Sequence, residues 1–460
     1  MTNHLTKTFC PTTTTEIWGH PKGLWILFWT EGWLSFAQYG MLSVLVVYLK
    51  DIFQHPVRAE KILGLPLLLA VNKKLYEPKG LDATAGSLSG LIMAVIFAAP
   101  FLGSFISDRG LGKTRSGIIG IILLTISFFC MMLEQLFVLA LLGFLVGVAF
   151  SGSLKAQVGA LYELNDRRRS DAYQIYSQSI QIMAIISPLL CSFLGTVAWY
   201  LAFCTTGCAM LIGLICYAAW GCYLPAEETH MYASVVENTN CGIVEKKRIL
   251  FLLWLVVLFA LGVLPNQEIM DGYLLWGSEH YQLAIMGMTY PASTLVSLDS
   301  VISMVTGLLI LWFWRWYDAR YGAVHDMTKI IIGSGISTSG PIFLVCAEWL
   351  YPGPHQINLW WGVIFHTVND IGCSMTFATG MALFSRYAPI RYNTTLVSCF
   401  TLHIFLGNMM IGKLASLLHQ ISDSLFWLLH SGGALLSTLG LLASSRMAGR
   451  LFSPTLDKPT

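Results

Sequence analysis

Charge is what this sequence has least of. Of its 460 residues only 11% are charged, 27 basic and 25 acidic, while 55% are hydrophobic. Soluble domains carry roughly 25% charged residues. With a mean hydropathy of +0.65, the chain reads as an integral membrane protein. A formal net charge of +2, with no basic stripe interleaved with aromatics, excludes nucleic acid as a partner. The eleven cysteines form no Cys-x-x-Cys pair and no zinc spacing. Most lie in apolar runs, where Cys is a small hydrophobe. No metal and no cofactor are expected. Neither Gly-x-Ser-x-Gly nor His-Glu-x-x-His occurs, which removes two common enzyme signatures. The first 22 residues are polar and Thr-rich, so no cleavable signal peptide is expected.

What the chain does have is long apolar runs. From Gly23 to Leu49 it is apolar except for Thr30, Glu31, Ser35, Gln38 and Ser43. At about 1.5 Å rise per residue, one helix of this length crosses a bilayer. A carboxylate inside such a span is costly, so Glu31 is a functional-site candidate. Further spans are predicted near 86–107, 117–134, 136–162, 171–196 and 198–223. After a charged connector, 225–248, come 249–276, 294–317, 328–349, 359–386, 393–418 and 424–445. The fold class is therefore all-α, about twelve transmembrane helices in two six-helix halves, 23–223 and 249–445. A polar tail (1–22), a linker (224–248) and a second tail (446–460) complete the chain. Lys and Arg crowd the tails, the linker and alternate loops, which predicts both termini in the cytoplasm. The segment 50–85 is an exception, with six Lys or Arg, three prolines and an apolar run too short to span. An interfacial piece is expected there.

Few ionisable groups fall within the spans: Glu31, Lys155, Glu268, Asp271, Asp299, Asp370 and Lys413, with His366, His403 and His430. Each needs a partner or a watery cavity. Glu31 and Lys155, on the first and fourth spans, are candidates for pairing. Glu268 and Asp271 are three apart and share a face. They either line a cavity or meet water at the mouth of their helix. Pro265 and Gly272 beside them predict a kink or break. The Gly-rich run Gly333–Gly340 lacks a following Lys-Ser or Lys-Thr and reads as small-residue packing.

Two loops repeat weakly. SDRGLGKTR follows the second span, with Asp108, Arg109, Gly112 and Lys113; YDARYG follows the eighth, with Asp318, Arg320 and Gly322. Both resemble the acidic-basic loop of the major facilitator superfamily, whose halves are repeats. A closer resemblance runs through the first half. His20, Pro21 and Gly23, then Glu31, Phe36, Tyr39 and Gly40, fall in register with the entry and first-helix signature of the proton-coupled oligopeptide transporter family. Leu34, Ser35 and Gln38 depart from that signature, replacing its second Glu, its Arg and its first Tyr. The fourth span ends in Val158, Gly159, Leu161, Tyr162, Asn165, Asp166, Arg168 and Arg169, as the family's does. The fifth matches around Ile180 and Pro188 to Cys191. The eighth matches at Pro291, Ala292, Ser293, Ser297 and Leu298, and the tenth at Gly380, Ala388 and Pro389.

The resemblance implies a secondary transporter that imports di- or tripeptides with protons. Its halves would rock around a midplane cavity in the cell (inner) membrane. It makes Glu31 a proton acceptor whose ionised form Lys155 stabilises. Tyr39 and Gln181 would line the pocket. Asp299 stands where the family has Asn, and Cys373 where it has the Glu that binds the peptide amine, with Asp370 one turn earlier. Asp299, Asp370 or Glu268 would meet that amine. Because Ser35 and Leu34 replace groups that hold the peptide carboxylate and assist coupling, two alternatives stand beside this reading. One is a transporter of amino acids or other small zwitterions; the other is a sensor without transport. An enzyme is not expected. The implied partners are a small substrate, protons and the bilayer.

Overall fold

A computed structural model describes residues 16–106, 113–151, 154, 157–158, 161–162, 168–224, 243–285, 287–388 and 393–451. The first-half helices are α1 (Lys22–Gln54), α2 (Pro56–Ala59), α3 (Leu65–Tyr76), α4 (Leu81–Ile106), α5 (Lys113–Met131), α6 (Phe137–Ser151), α7 (Arg168–Val197) and α8 (Trp199–Trp220). The second half holds α9 (Ile243–Gly262), α10 (Leu264–Gln267), α11 (Gly272–His280), α12 (Leu295–Tyr321), α13 (Asp326–Leu350), α14 (Leu359–Tyr387), α15 (Asn393–Ala415) and α16 (Asp423–Leu451). Two two-residue hairpins, Glu16–Ile17 with His20–Pro21 and Ala284–Ile285 with Met288–Thr289, are the strands among the described residues.

Every expected span contains a helix. Among the described residues eight helices are long and apolar enough to cross a membrane, and a ninth is a bent pair, Glu245–Gly262 with Leu264–Met270. The bend is 51° and falls at Val263, just ahead of Pro265, whose missing N–H and ring disrupt the backbone ladder. Arg115–Met131 and Cys399–Ala415 are shorter apolar helices. The 29-residue α14 carries His366, Asn369 and Asp370 in its middle. Proline inside α4, α7 and α13 is tolerated as membrane helices tolerate it, because neighbours satisfy the freed carbonyls.

The chain divides into two compact units. The first holds residues up to Tyr48 with His55–Leu68 and Ala99–Tyr232; the second holds Leu49–Gln54, Leu69–Ala98 and Ala233–Thr460. Lipid supplies no hydrophobic drive between helices, so close packing and small residues must hold each unit. In the first, a Cβ at Gly40 would lie 2.7 Å from Cys191 Sγ and 3.2 Å from Thr206 Cγ2, which draws α1 onto α7 and α8. Tyr48 stacks edge-on against Phe137, Phe203 and Trp199 with centroids 4.9, 5.0 and 5.4 Å apart. Each such pair adds about 0.5–1.5 kcal/mol.

In the second unit, Phe251, Leu255, Phe259, Leu383, Phe384 and Phe400 form the core that joins α9, α14 and α15. The Gly-rich run of α13 packs as its composition suggests. A Cβ at Gly333 would lie 2.7 Å from Met375 Cβ and 2.8 Å from the Gly372 carbonyl.

The segment 50–85, expected as an interfacial piece, contains the short helices α2 and α3. In α3, Leu67, Val71 and Leu75 are exposed, while Leu65 and Tyr76 are buried. Asn72, fully buried, donates to Ser87 Oγ at 2.9 Å. The two acidic-basic loops fare differently. Asp108, Arg109 and Gly112 lie outside the described residues. Asp318 accepts from Lys329 Nζ at 2.6 Å and from the Val324 N–H at 3.2 Å. Gly322 closes that turn at φ +92°, a conformation that favours glycine.

Candidate functional site

The first hairpin reverses at Trp18 and Gly19, both at positive φ. This brings Glu16 and the Gly19 carbonyl to Arg168 Nη1, at 2.9 and 2.8 Å. His20 Nδ1 lies 2.8 Å from the Tyr162 hydroxyl. The His-Pro entry is thus fastened to the residues that end the fourth span and open the fifth. Beyond it α1 presents Glu31, half-buried, to the hydroxyl of Tyr176, a fully buried residue on α7. At Gly32 the two helices run at ordinary packing distance: a Cβ there would make van der Waals contact with Met183 Cγ and Ser179 Cβ, each at 3.6 Å. Leu34 and Ser35, the signature's departures, are both buried. Tyr39 and Gln181 are half-buried on α1 and α7. Lys155, the expected partner of Glu31, lies outside the described residues. Its neighbour Gln157, buried, hydrogen-bonds the Tyr217 hydroxyl at 2.9 Å.

The second unit concentrates charge. Glu268 and Asp271 are both fully buried, so the second alternative, a hydrated helix mouth, is not what forms. His430 on α16 places Nε2 2.8 Å from Glu268 Oε2, and its Nδ1 lies 2.8 Å from the Phe426 carbonyl. A carbonyl oxygen can only accept, so Nδ1 carries a hydrogen. The Nε2–Oε2 bond must then contain one further proton, on nitrogen or on oxygen. In both forms the pair is neutral overall.

Asp299 on α12 repeats the arrangement. His366 on α14 has Nδ1 2.8 Å from Asp299 Oδ1 and Nε2 3.0 Å from the Tyr273 hydroxyl, which in turn donates to Tyr281 at 3.2 Å. His366 is fully buried, whereas the Asp299 side chain is 13% exposed. Asp370, one turn along α14 from His366, lies near enough to Asp299 for their charges to repel. Cys373 adjoins both. Among the described residues neither oxygen of Asp271 and neither oxygen of Asp370 has a hydrogen-bond partner.

The structure therefore brings together Asp299, Asp370 and Cys373, and separately Glu268 with Asp271. The histidines were visible as charges within spans. Their roles as partners required knowing which helices touch. The i, i+4 spacing between His366 and Asp370 is a local pattern, but the partner His366 takes is Asp299 on α12.

At the loop ends of the second unit, Lys50 Nζ meets Asp82 at 2.8 Å and Glu279 at 3.4 Å, and His419 meets Asp82 at 2.9 Å. His280 lies 3.5 Å from both Glu348 and Asp423. Asp82, Glu279 and His419 form one three-ligand group within 4.8 Å, and His280, Glu348 and Asp423 form another. The Lys50 ammonium already pairs with both carboxylates of the first. Burial pushes the His280 imidazole down, but Asp423, the Trp276 carbonyl and Glu348 together raise it to about 9. A 290 Å³ cavity lined by Tyr48, Arg58, Glu134 and Trp199 contains none of the candidate residues.

Apolar helices at every expected span, the acidic-basic loop at Asp318 and the intramembrane carboxylates are the frame of a secondary transporter, and comparison with known proteins agrees. The Major Facilitator Superfamily model matches residues 28–409, and the chain belongs to that family. It is a multi-pass membrane protein with the fold of transporters, not of an enzyme.

Within the superfamily, the likeness is to peptide transporters of the POT family. A di-/tripeptide transporter of Lactococcus lactis subsp. lactis (strain IL1403) is 30% identical over 204 residues, covering 43% of this chain and 37% of that relative. The chain thus aligns with little more than a third of that relative's length. An uncharacterized transporter, YclF, of Bacillus subtilis (strain 168) is 19% identical over 468 residues, 89% of this chain and 90% of its own. A solved structure of a POT family transporter in complex with a thioalcohol-conjugated peptide has TM-score 0.78 at 19% identity, covering 94% of this chain and 98% of that one.

Proposed function

We propose that this protein imports di- or tripeptides with protons by alternating access, its six-helix halves (23–223 and 249–445) rocking about a midplane site. The observation that carries the reading is Asp299. It is a carboxylate within a span, held at one oxygen by His366 and only partly enclosed. A substrate ammonium needs such a partner, because a buried ion without one costs several kcal/mol. Asp370 and Cys373 flank it, and Glu268 stands apart, paired with His430. Glu31 is the proton acceptor of the first half, with Lys155 as its stabilising cation and Tyr39 and Gln181 as pocket-lining groups. The likeness to a di-/tripeptide transporter and to a peptide-bound POT family structure supports the substrate class. Both termini lie in the cytoplasm, and the membrane is the cell (inner) membrane. The test is uptake into proteoliposomes under an imposed pH gradient, with labelled dipeptides and amino acids in parallel. Gradient-dependent accumulation of dipeptides supports the reading; none for either class overturns it.

A second reading rests on Ser35 and Leu34. Both are buried where the resembling family has Arg and Glu, so the carboxyl end of a peptide lacks its usual cation. Transport of free amino acids or other small zwitterions fits that loss. Uptake confined to amino acids selects it.

A further inference from the structure

The second unit contains a contact closer than its charges should allow. Near the start of α4 and the end of α15, a Cβ at Gly90 would lie 2.7 Å from the Gly412 backbone nitrogen and 2.8 Å from its Cα. A Cβ at Gly86 would lie 2.9 Å from Ala415 Cβ. The helices therefore touch backbone to backbone. Asp271 points into this crossing: its Oδ1 is 3.3 Å from the Gly86 Cβ position and its Oδ2 3.1 Å from that of Gly90. The residue is fully buried, and neither oxygen has a hydrogen-bond partner among the described residues.

Among the described residues the groups around it supply no countercharge. Glu268, on the same broken helix, repels it, and that carboxylate is engaged by His430 on α16. Tyr76 on α3 feels its charge but lists its hydroxyl toward Met409 Sδ, at 3.5 Å. Lys413 on α15 turns its Nζ to the Tyr76 carbonyl, at 3.1 Å. Asp82, one turn before Gly86, is held by Lys50 and His419. An anion in this apolar wedge is strongly disfavoured, whereas a neutral carboxyl fits.

We propose that Asp271 is a protonation site that locks the α4–α15 crossing, which closes only when the carboxyl carries a proton. Opening the crossing lets water reach Asp271, and the proton can leave; reclosure requires a proton to return. The proton is the ligand, and no substrate is needed, so the site stands or falls independently of what the protein carries.

Hydrogen–deuterium exchange of the purified protein tests this, read over residues 81–92 and 404–415 from about pH 5 to about pH 9. After correction for the intrinsic pH dependence of amide exchange, a one-proton lock loses protection about tenfold per pH unit above its midpoint. Asp271→Asn, neutral at every pH, should keep both segments protected with no such slope. Gly90→Ala, whose methyl collides with backbone, should leave both exchanging freely at every pH. A wild-type profile that is flat, or an Asp271→Asn profile with the wild-type slope, overturns the proposal. Should the Asn variant fail to fold, a Gly90→Ala profile retaining the wild-type slope overturns it equally.

Discussion

The two halves carry their intramembrane charge in opposite ways. The first holds one mid-span carboxylate, Glu31, against a tyrosine hydroxyl, and buries Leu34 and Ser35 beside it. The second holds four carboxylates, two of them closed onto histidines and two without partners among the described residues. A carboxylate–imidazole pair stays neutral whichever atom holds the shared proton, so it can sit in a span with little field around it. A bare carboxyl cannot, unless it is neutral or opens to water. The first half thus has the simpler site and the second the larger store of exchangeable protons.

The sharpest way to break this comparison is Glu31→Gln. If the first half alone drives coupling, acid-driven uptake is abolished while counterflow exchange persists. Tyr176→Phe, which removes only the hydrogen bond, should have a smaller effect on the same assay. Unchanged accumulation in Glu31→Gln would transfer coupling to the second half.

Next comes His430→Ala. It leaves Glu268 buried without its partner, which typically destabilises by about 3–5 kcal/mol. Thermal unfolding in detergent should show a large drop in midpoint. A double replacement of Glu268 and His430 by leucine should recover most of it, since exchanging a whole buried pair for apolar groups is often near neutral. No recovery would mean that the pair has a role beyond neutralising itself.

Asp299→Asn should be smaller and selective. Losing one partner of a buried charge pair costs about 2 kcal/mol or more, so binding of free-amine substrates should weaken roughly 30-fold. N-acetylated analogues should be little changed. Equal loss for both removes Asp299 as the amine partner.

The smallest effect belongs to the loop-end cluster. His280 is raised from its ordinary 6.5 to about 9, so it binds a proton more tightly folded than unfolded. Its contribution to stability is full below about pH 6.5 and is lost as pH rises through about 9. Asp423→Asn should flatten that part of the melting-temperature profile, and an unchanged profile would dissociate the pair.

Much of this was legible in the chain itself. The twelve apolar runs, the break near Pro265 and the packing of the Gly-rich run follow from composition and spacing. They depend on residues near one another in sequence and on the demand that backbone groups in lipid be satisfied within a helix. The short segment 50–85 was legible as non-spanning, though not as the two helices it forms.

The site was legible only as an inventory. Sequence alone determined that Glu31, Glu268, Asp271, Asp299, Asp370, His366 and His430 lie in membrane spans, and therefore that each needs a partner or water. It did not determine the partners. Glu268 reaches His430 across 162 positions, Asp299 reaches His366 across 67, and Asp271 finds two glycines on α4 instead of a cation. Helix formation is local, fixed by hydrogen bonds four residues apart. Which charged face meets which is decided when helices dock, because only docking brings distant groups within hydrogen-bond distance and excludes water from between them.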